Sequence, residues 1–102
     1  MAERRLIISE TAYADQESIE NYIAEDSPII AQQFIRRIFE RIEQLSEFPE
    51  SGKIVPEFSD KQLRELNLKR YRIVYRILNS SDIVILRIIH GARLLFALEQ
   101  ED

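Results

Sequence analysis

The chain has 102 residues, of which 45% are hydrophobic, and a formal net charge of −4, values that are typical of one small globular domain. The absence of cysteine excludes disulfide bonds and a thiolate nucleophile, and the longest apolar run, five residues at 94–98, is far short of the roughly 20 that cross a bilayer. We therefore expect a single domain over residues 1–102 that is cytoplasmic and has no membrane partner.

A short strand and a helix are predicted at the start of the chain. The apolar run at residues 4–9 predicts the strand. Residues 10–26 predict an amphipathic helix, because apolar residues recur near one face with acidic residues between them. The apolar residues of that face are Ala12, Ile19, Tyr22 and Ile23. This helix is therefore expected to pack one face on a core while its acidic face meets solvent.

A second and stronger helix pattern begins at Ser27. Serine is a favourable N-cap, and Pro28 suits the first helical position because its fixed φ is already helical. The helix is predicted to run through residues 29–48, before Pro49 ends it. Its buried stripe follows the three-four spacing of Ala31, Phe34, Ile35, Ile38, Ile42 and Leu45, widened by Phe39. Because the turn between the two helices is short, they are expected to pack as an antiparallel hairpin.

The pattern changes from a helical to an alternating period in the second half of the chain. Strands are predicted at residues 63–68, 71–78 and 83–90, with a polar turn at 79–82 and a long loop at 49–62. Successive strands of this kind predict an antiparallel meander with one face under the helix pair. The expected fold class is α+β, with an N-terminal strand, the helix hairpin, the meander and a possible short C-terminal element.

Four short motifs follow one another in the second half of the chain. They are P-x-x-G at 49–52, L-R-E-L at 63–66, Y-R-I-x-Y at 71–75 and H-x-x-R at 90–93. Together with the order of the predicted elements, they make the chain resemble the RelE/ParE superfamily of toxins from bacterial type II toxin–antitoxin systems, and most of all its ParE branch. The resemblance covers nearly the whole chain and implies one toxin-like domain with a β-α-α-β-β-β fold.

The resemblance also implies a function and partners. It implies a toxin that is neutralised by a cognate antitoxin in a hetero-oligomer of the two proteins, and it implies no cofactor. Toxins of the ParE branch poison DNA gyrase, whereas those of the RelE branch cut mRNA in the ribosomal A site. The ParE likeness favours a gyrase inhibitor with no catalytic residue. The alternatives are a ribosome-dependent, metal-independent endoribonuclease and a non-toxic homologue that only binds antitoxin.

Three residues match a catalytic set that the resemblance implies for one RNase subgroup of the superfamily: Glu57, Arg72 and His90. Attack by a 2′-hydroxyl needs a base, an acid for the leaving oxygen and a cation for the developing charge. Arg72 and His90 could face one cleft if their strands are neighbours. Two features weigh against an RNase. Such toxins carry a C-terminal tyrosine that stacks on an mRNA base, where this chain has Gly91 and Phe96, and they are basic whereas this chain is acidic.

Gyrase binding would need a surface rather than a catalytic residue. The candidate target-binding surface follows the last predicted strand and comprises His90, Arg93, Leu94, Leu95 and Phe96. Exposed apolar residues there would mark a contact with another protein. The antitoxin is expected to cover the hydrophobic groove around the helix hairpin and the open edge of the sheet, by adding a strand or a helix.

Charge is distributed unevenly along the chain. Residues 1–49 carry five basic and ten acidic residues, whereas residues 50–98 carry nine basic and five acidic, so an anionic partner would bind the second half. Four strand arginines form a candidate basic face, or an ordinary solvated face of the sheet: Arg64, Arg72, Arg76 and Arg87.

Tyr71 and Tyr75 are expected in the core. No metal site is expected, because His90 has no second histidine or cysteine to join it.

Overall fold

A computed structural model of the protein describes residues 4–91. In chain order the elements are β1 (Leu6–Ile8), α1 (Glu10–Ala24), α2 (Pro28–Glu43), a 3₁₀ turn (Gln44–Ser46), β2 (Lys53–Ile54), β3 (Leu63–Leu68), β4 (Tyr71–Ile77) and β5 (Ile83–His90). This is the α+β order that the sequence predicts. Within the described part of the chain, neither helix combines the length and the apolar character that a membrane span requires.

The second helix begins at its predicted capping residue and ends earlier than predicted. The Ser27 hydroxyl oxygen accepts a hydrogen bond from the amide of Ile30 at 3.2 Å, and Pro28 is the first helical residue. The predicted end, near residue 48, was too late, because α2 ends at Glu43 and the chain tightens into the 3₁₀ turn. The last residue of the predicted buried stripe, Leu45, is therefore buried from the 3₁₀ turn rather than from the helix.

The five strands form one sheet in the order β1-β5-β4-β3-β2. Strands β3, β4 and β5 pair antiparallel in succession, which is the predicted meander. Strand β1 adds to β5 in parallel, because the helix hairpin carries the chain across one face before it returns to the sheet. The predicted loop at 49–62 contains the two-residue strand β2, which pairs with β3 and forms the other edge of the sheet.

The main hydrophobic core lies between the helix hairpin and one face of the sheet. It contains Ala12, Ile19, Phe34, Ile38, Ile42, Leu45, Leu66, Leu68, Ile73, Tyr75, Ile83, Ile85 and Ile88. Tyr75 is completely buried in it and Tyr71 packs at its border, as their alternation with apolar residues predicts. The opposite face of the sheet, which we call the open face, has a smaller apolar cluster of Val55, Leu63, Val74 and Ile89.

Asp15 joins α1 to the last strand. β1 pairs with β5 only as far as Ile85, whose carbonyl accepts from the amide of Ser9 at 3.0 Å. Beyond that point the Asp15 carboxylate accepts from the Ile88 amide at 2.9 Å and from the Arg87 side chain at 2.7 Å. A helix side chain therefore satisfies the backbone at an edge of the strand that no other strand of residues 4–91 covers.

Candidate functional site

Arg72 of β4 is the centre of an ion-pair network on the open face. Its Nε donates to both carboxylate oxygens of Glu65, at 3.0 and 3.1 Å, and its Nη2 also contacts that carboxylate. Its two terminal nitrogens bind the Glu57 carboxylate in a bidentate pair, each at 3.0 Å. Nη1 also donates to the carbonyl of Gly91 at 3.2 Å. The guanidinium thus connects strands β3 and β4 with the turn after β2 and with the end of β5.

The network fixes the charge of Arg72 and of Glu57. The hydrogen bonds that Arg72 donates to Glu57, followed by those that it donates to Glu65, raise the pKa of Arg72 above its ordinary value against the opposing effect of burial. Hydrogen bonding from Arg72 is also the main reason why the pKa of Glu57 lies below its ordinary value of 4.5. At neutral pH Arg72 therefore stays protonated and Glu57 stays ionised, and a carboxylate with a lowered pKa is a weak general base.

His90 lies on the opposite face of the sheet from Arg72. Strands β4 and β5 are neighbours, but their register pairs Tyr71 with His90 and Arg72 with Ile89. Successive side chains of a strand alternate between faces, so His90 lies on the helix side with Tyr71. The exposed imidazole contacts the Tyr71 ring edge-on, with the ring centres 6.0 Å apart. The structure therefore brings Glu57 and Arg72 together and separates them from His90.

The open face has a shallow cleft of about 420 Å³ beside the Arg72 network. Its charged lining residues are Lys53, Lys69, Arg70, Arg72, Glu57 and Glu65. Lys53, Lys69 and Arg70 were not predicted as site residues from the sequence. The adjacent cations at 69–70, in the two-residue turn between β3 and β4, were the signal that could have identified part of this site. Lys53 is distant from these two residues in the chain, so no local pattern indicates that it belongs to the same site.

The four strand arginines do not form one basic face. Arg72 and Arg76 lie on the open face, where Arg76 pairs with Asp60 at 3.0 Å. Arg64 stands opposite Tyr75 on the helix side, and its side chain donates to backbone carbonyls. Arg87 binds Asp15 of α1. The prediction of one basic face was wrong for two reasons. Neighbouring strands are offset in register, so alternation within each strand does not determine which residues of different strands share a face. An irregularity at Val74 and Tyr75 also shifts the pairing of β4 with β5.

Of the predicted target-binding residues, only His90 can be placed. Arg93, Leu94, Leu95 and Phe96 lie outside the described residues. Among residues 4–91, no group of three or more histidine and carboxylate side chains could hold a metal ion.

Comparison with known proteins identifies a family. Residues 6–95 match the sequence model of the ParE toxin of the type II toxin–antitoxin system parDE. No curated protein matches the chain in sequence.

Solved structures of toxins share the fold. A structure of the chromosomal ParDE toxin–antitoxin system from P. aeruginosa is 24% identical, with a TM-score of 0.71, and the match covers 86% of this chain and 96% of that one. The RelBE2 toxin–antitoxin complex from Mycobacterium tuberculosis is 22% identical, with a TM-score of 0.61 and coverage of 87% and 99%. A mutant of the E. coli toxin RelE in the free state is 13% identical, with a TM-score of 0.65 and coverage of 97% and 94%. At these identities the likeness shows the fold alone.

Proposed function

The chain belongs to the ParE toxin family of type II toxin–antitoxin systems, and from that premise we propose that it inhibits DNA gyrase by binding to it, without catalysing a reaction. The observation that carries the proposal is the separation of Arg72 from His90. The residues that would form an RNase site lie on two faces of the sheet.

The chemistry of RNA cleavage explains why this separation matters. The reaction needs a general base near the 2′-hydroxyl and a general acid near the leaving oxygen, both within hydrogen-bond reach of one substrate. Glu57 and Arg72 bind each other through two hydrogen bonds, and His90 is directed away from both. Glu57 and Arg72 thus act as a structural pair, which favours a toxin that works through a binding surface.

The proposed antitoxin interface includes the helix hairpin. Four large apolar residues on α1 and α2 are between 52% and 71% exposed: Tyr13, Tyr22, Ile29 and Ile30. Exposed apolar side chains of this size are typical of surfaces that a protein partner covers. The two-residue edge strand β2 offers a second point of attachment, because no strand of the described part of the chain lies beside its outer backbone groups. We expect a hetero-oligomer in which the antitoxin covers one or both regions.

The test uses the antitoxin-free chain in two parallel assays, DNA supercoiling and cleavage by gyrase, and mRNA cleavage in programmed ribosomes. We expect trapped, cleaved DNA and intact mRNA. The His90→Ala variant should reduce trapping only through weaker binding, which more toxin restores, because the proposal places the imidazole in the target-binding surface and gives it no catalytic role. Cut mRNA with normal gyrase activity would contradict the proposal in favour of the endoribonuclease. Inactivity in both assays, with antitoxin binding retained, would favour the non-toxic homologue.

The contribution of the C-terminal segment is tested separately. Alanine substitutions at Leu94, Leu95 and Phe96 should reduce gyrase poisoning, because these residues are proposed to contact the target. Phe48→Ala is the matched control, since Phe48 is 58% exposed and lies outside the proposed surface. Equal activity of the triple variant and the control would remove the C-terminal segment from the target interface.

A further inference from the structure

We propose that the cleft on the open face binds the phosphate backbone of duplex DNA through Lys53, Lys69 and Arg70. The inference rests on the proposed function, since DNA is what a gyrase-directed toxin meets at its target. It deepens that function by assigning part of the contact to the DNA rather than to gyrase. The three residues come from two places in the chain, the edge strand β2 and the turn between β3 and β4, and they meet at one cleft.

The charge balance of the cleft favours an anionic ligand. Both of its carboxylates, Glu57 and Glu65, are already bound by Arg72. Lys53, Lys69 and Arg70 are exposed, and their side chains make no hydrogen bond or ion pair with any residue in the range 4–91, although the charge of Lys53 helps to lower the pKa of Glu57. Cations that are exposed, convergent and unpaired within the described structure attract an anion without first breaking an ion pair.

The backbone conformation at Lys69 supports a functional role for the charge of the lysine side chain. Lys69 has a φ of 55°, in the left-handed region, at the first position of the two-residue turn that links β3 to β4. Glycine or asparagine adopts this conformation more readily, and for most other residues it costs on the order of 1 kcal/mol. A strained lysine at the rim of a cationic cleft is the kind of outlier from which a binding role is inferred.

The rest of the lining indicates which anion fits. Within residues 4–91 the uncharged lining residues are Pro56, Asn67 and Gly91, and none of them is an aromatic side chain on which an unpaired base could stack. The same described lining offers no large apolar surface that could anchor the side chains of a peptide. Lysine and arginine alone are sufficient to bind phosphates, and such contacts do not depend on base sequence. A duplex, whose bases are already stacked and whose phosphates are regularly spaced, satisfies these conditions.

The binding test compares two triple variants with the same change in net charge. The cleft variant is Lys53→Gln/Lys69→Asn/Arg70→Gln, in which asparagine suits the left-handed backbone. The control variant is Arg36→Gln/Arg37→Gln/Lys61→Gln, whose three residues are exposed and do not line the cleft. Fluorescence anisotropy of a labelled duplex of about 20 base pairs, in about 50 mM salt, measures the affinity, and a salt titration measures the number of phosphate contacts.

Three phosphate contacts predict a slope of about −3 for the logarithm of the affinity against the logarithm of the salt concentration. The cleft variant should bind at least about tenfold more weakly and lose most of that slope, whereas the control should keep it. No binding by the wild type, or an equal loss in both variants, would overturn the inference. Tighter binding of a polyglutamate peptide or of single-stranded RNA than of the duplex would also overturn it, in favour of a protein or RNA ligand.

Gyrase poisoning by the same proteins separates the two proposals. If the wild type traps cleaved DNA on gyrase but does not bind the duplex, the inference fails and the proposed function stands. If it binds the duplex through the cleft but does not poison gyrase, the proposed function fails and the cleft remains a DNA site. When both hold, the cleft variant should need roughly ten times more protein for the same poisoning, in line with its lost phosphate contacts.

Discussion

The hydroxyl of Tyr75 binds the backbone of Gly52 across the buried end of the sheet. It accepts a hydrogen bond from the Gly52 amide at 3.0 Å and donates one to the carbonyl of Pro49 at 2.7 Å. Burial raises the pKa of Tyr75, so the phenol remains a donor at every physiological pH. One core side chain therefore joins the segment that leaves the helix hairpin to the strands that carry the cleft.

Removing this hydroxyl should destabilise the protein. Tyr75→Phe leaves the Gly52 amide buried without an acceptor, which costs about 1–3 kcal/mol in the free energy of unfolding. Urea denaturation followed by circular dichroism measures the change. Tyr22→Phe is the matched control, because Tyr22 is 71% exposed and should change stability by less than about 0.5 kcal/mol. Equal stabilities of the two variants would show that water replaces the lost hydroxyl.

The two glycines of the chain should differ in their tolerance of a methyl group. A Cβ at position 52 would lie 2.6 Å from the Glu65 carbonyl oxygen and 2.6 Å from the Tyr75 hydroxyl. Gly52→Ala should therefore cost about 1–3 kcal/mol of stability through overpacking. Gly91→Ala is the control, since its nearest neighbour would be the Arg72 side chain at 3.5 Å, an ordinary contact. A thermal melt in which both variants lose the same stability would contradict this difference.

Local sequence signals predicted most of the fold. The serine and proline that begin α2, the spacing of its buried stripe and the alternation in the last three strands each depend on residues close together in the chain. The parallel pairing of β1 with β5 and the short strand β2 depend on partners far away in the chain, and a strand of two residues has too few side chains to show alternation. These features follow from tertiary structure and leave no local pattern.

The candidate site was predicted less well, because it depends on strand register. Glu57 and Arg72 were expected together and are together, whereas a register that pairs Arg72 with Ile89 places His90 on the other face. A shift of one residue moves a side chain to the opposite side of a sheet, and periodicity alone does not determine that shift. The pairing of Arg72 with buried Glu65 depends on the register of β3 with β4, which places Glu65 opposite Val74, and it was also missed.

The buried pair of Arg72 and Glu65 should respond differently to single and double substitution. Arg72→Met leaves the Glu65 carboxylate, which is 2% exposed, without its counter-ion, and should cost about 3–5 kcal/mol in the free energy of unfolding. The double variant Arg72→Met/Glu65→Leu removes both charges and should recover most of that loss. Urea denaturation of the single and double variants measures the coupling. A double variant no more stable than Arg72→Met would mean that the arginine stabilises the fold through its other partners.

Lys69 should lower the stability of the fold, because it places a charged side chain at a turn position where the backbone favours glycine. Lys69→Gly removes the side chain at a φ of 55° and should raise the free energy of unfolding by up to about 1 kcal/mol, while it weakens binding of the duplex. The control is Arg70→Gly at the next position, where φ is not positive and the added freedom of the unfolded chain should lower stability. Thermal melts of the two variants should therefore shift in opposite directions. A loss of stability in Lys69→Gly would mean that the turn is not strained.

Acid should remove the stabilising effect of Glu57. Its pKa is lowered from 4.5 chiefly by the hydrogen bond from Arg72, so the fold favours the ionised form over the unfolded chain. This stability is fully present above the unfolded value of 4.5 and is lost as the pH falls through the lower pKa of the folded state. Glu57→Gln should therefore be less stable than the wild type at pH 7. The expected difference in the free energy of unfolding is on the order of 0.5–1 kcal/mol, because the pair is partly exposed, and the two stability curves should converge below pH 4.5.

Urea denaturation across the acidic range measures both curves. The control is Glu40→Gln, an exposed glutamate of α2. A difference between wild type and Glu57→Gln that persists at the lowest pH would assign the effect to packing of the side chain rather than to its charge.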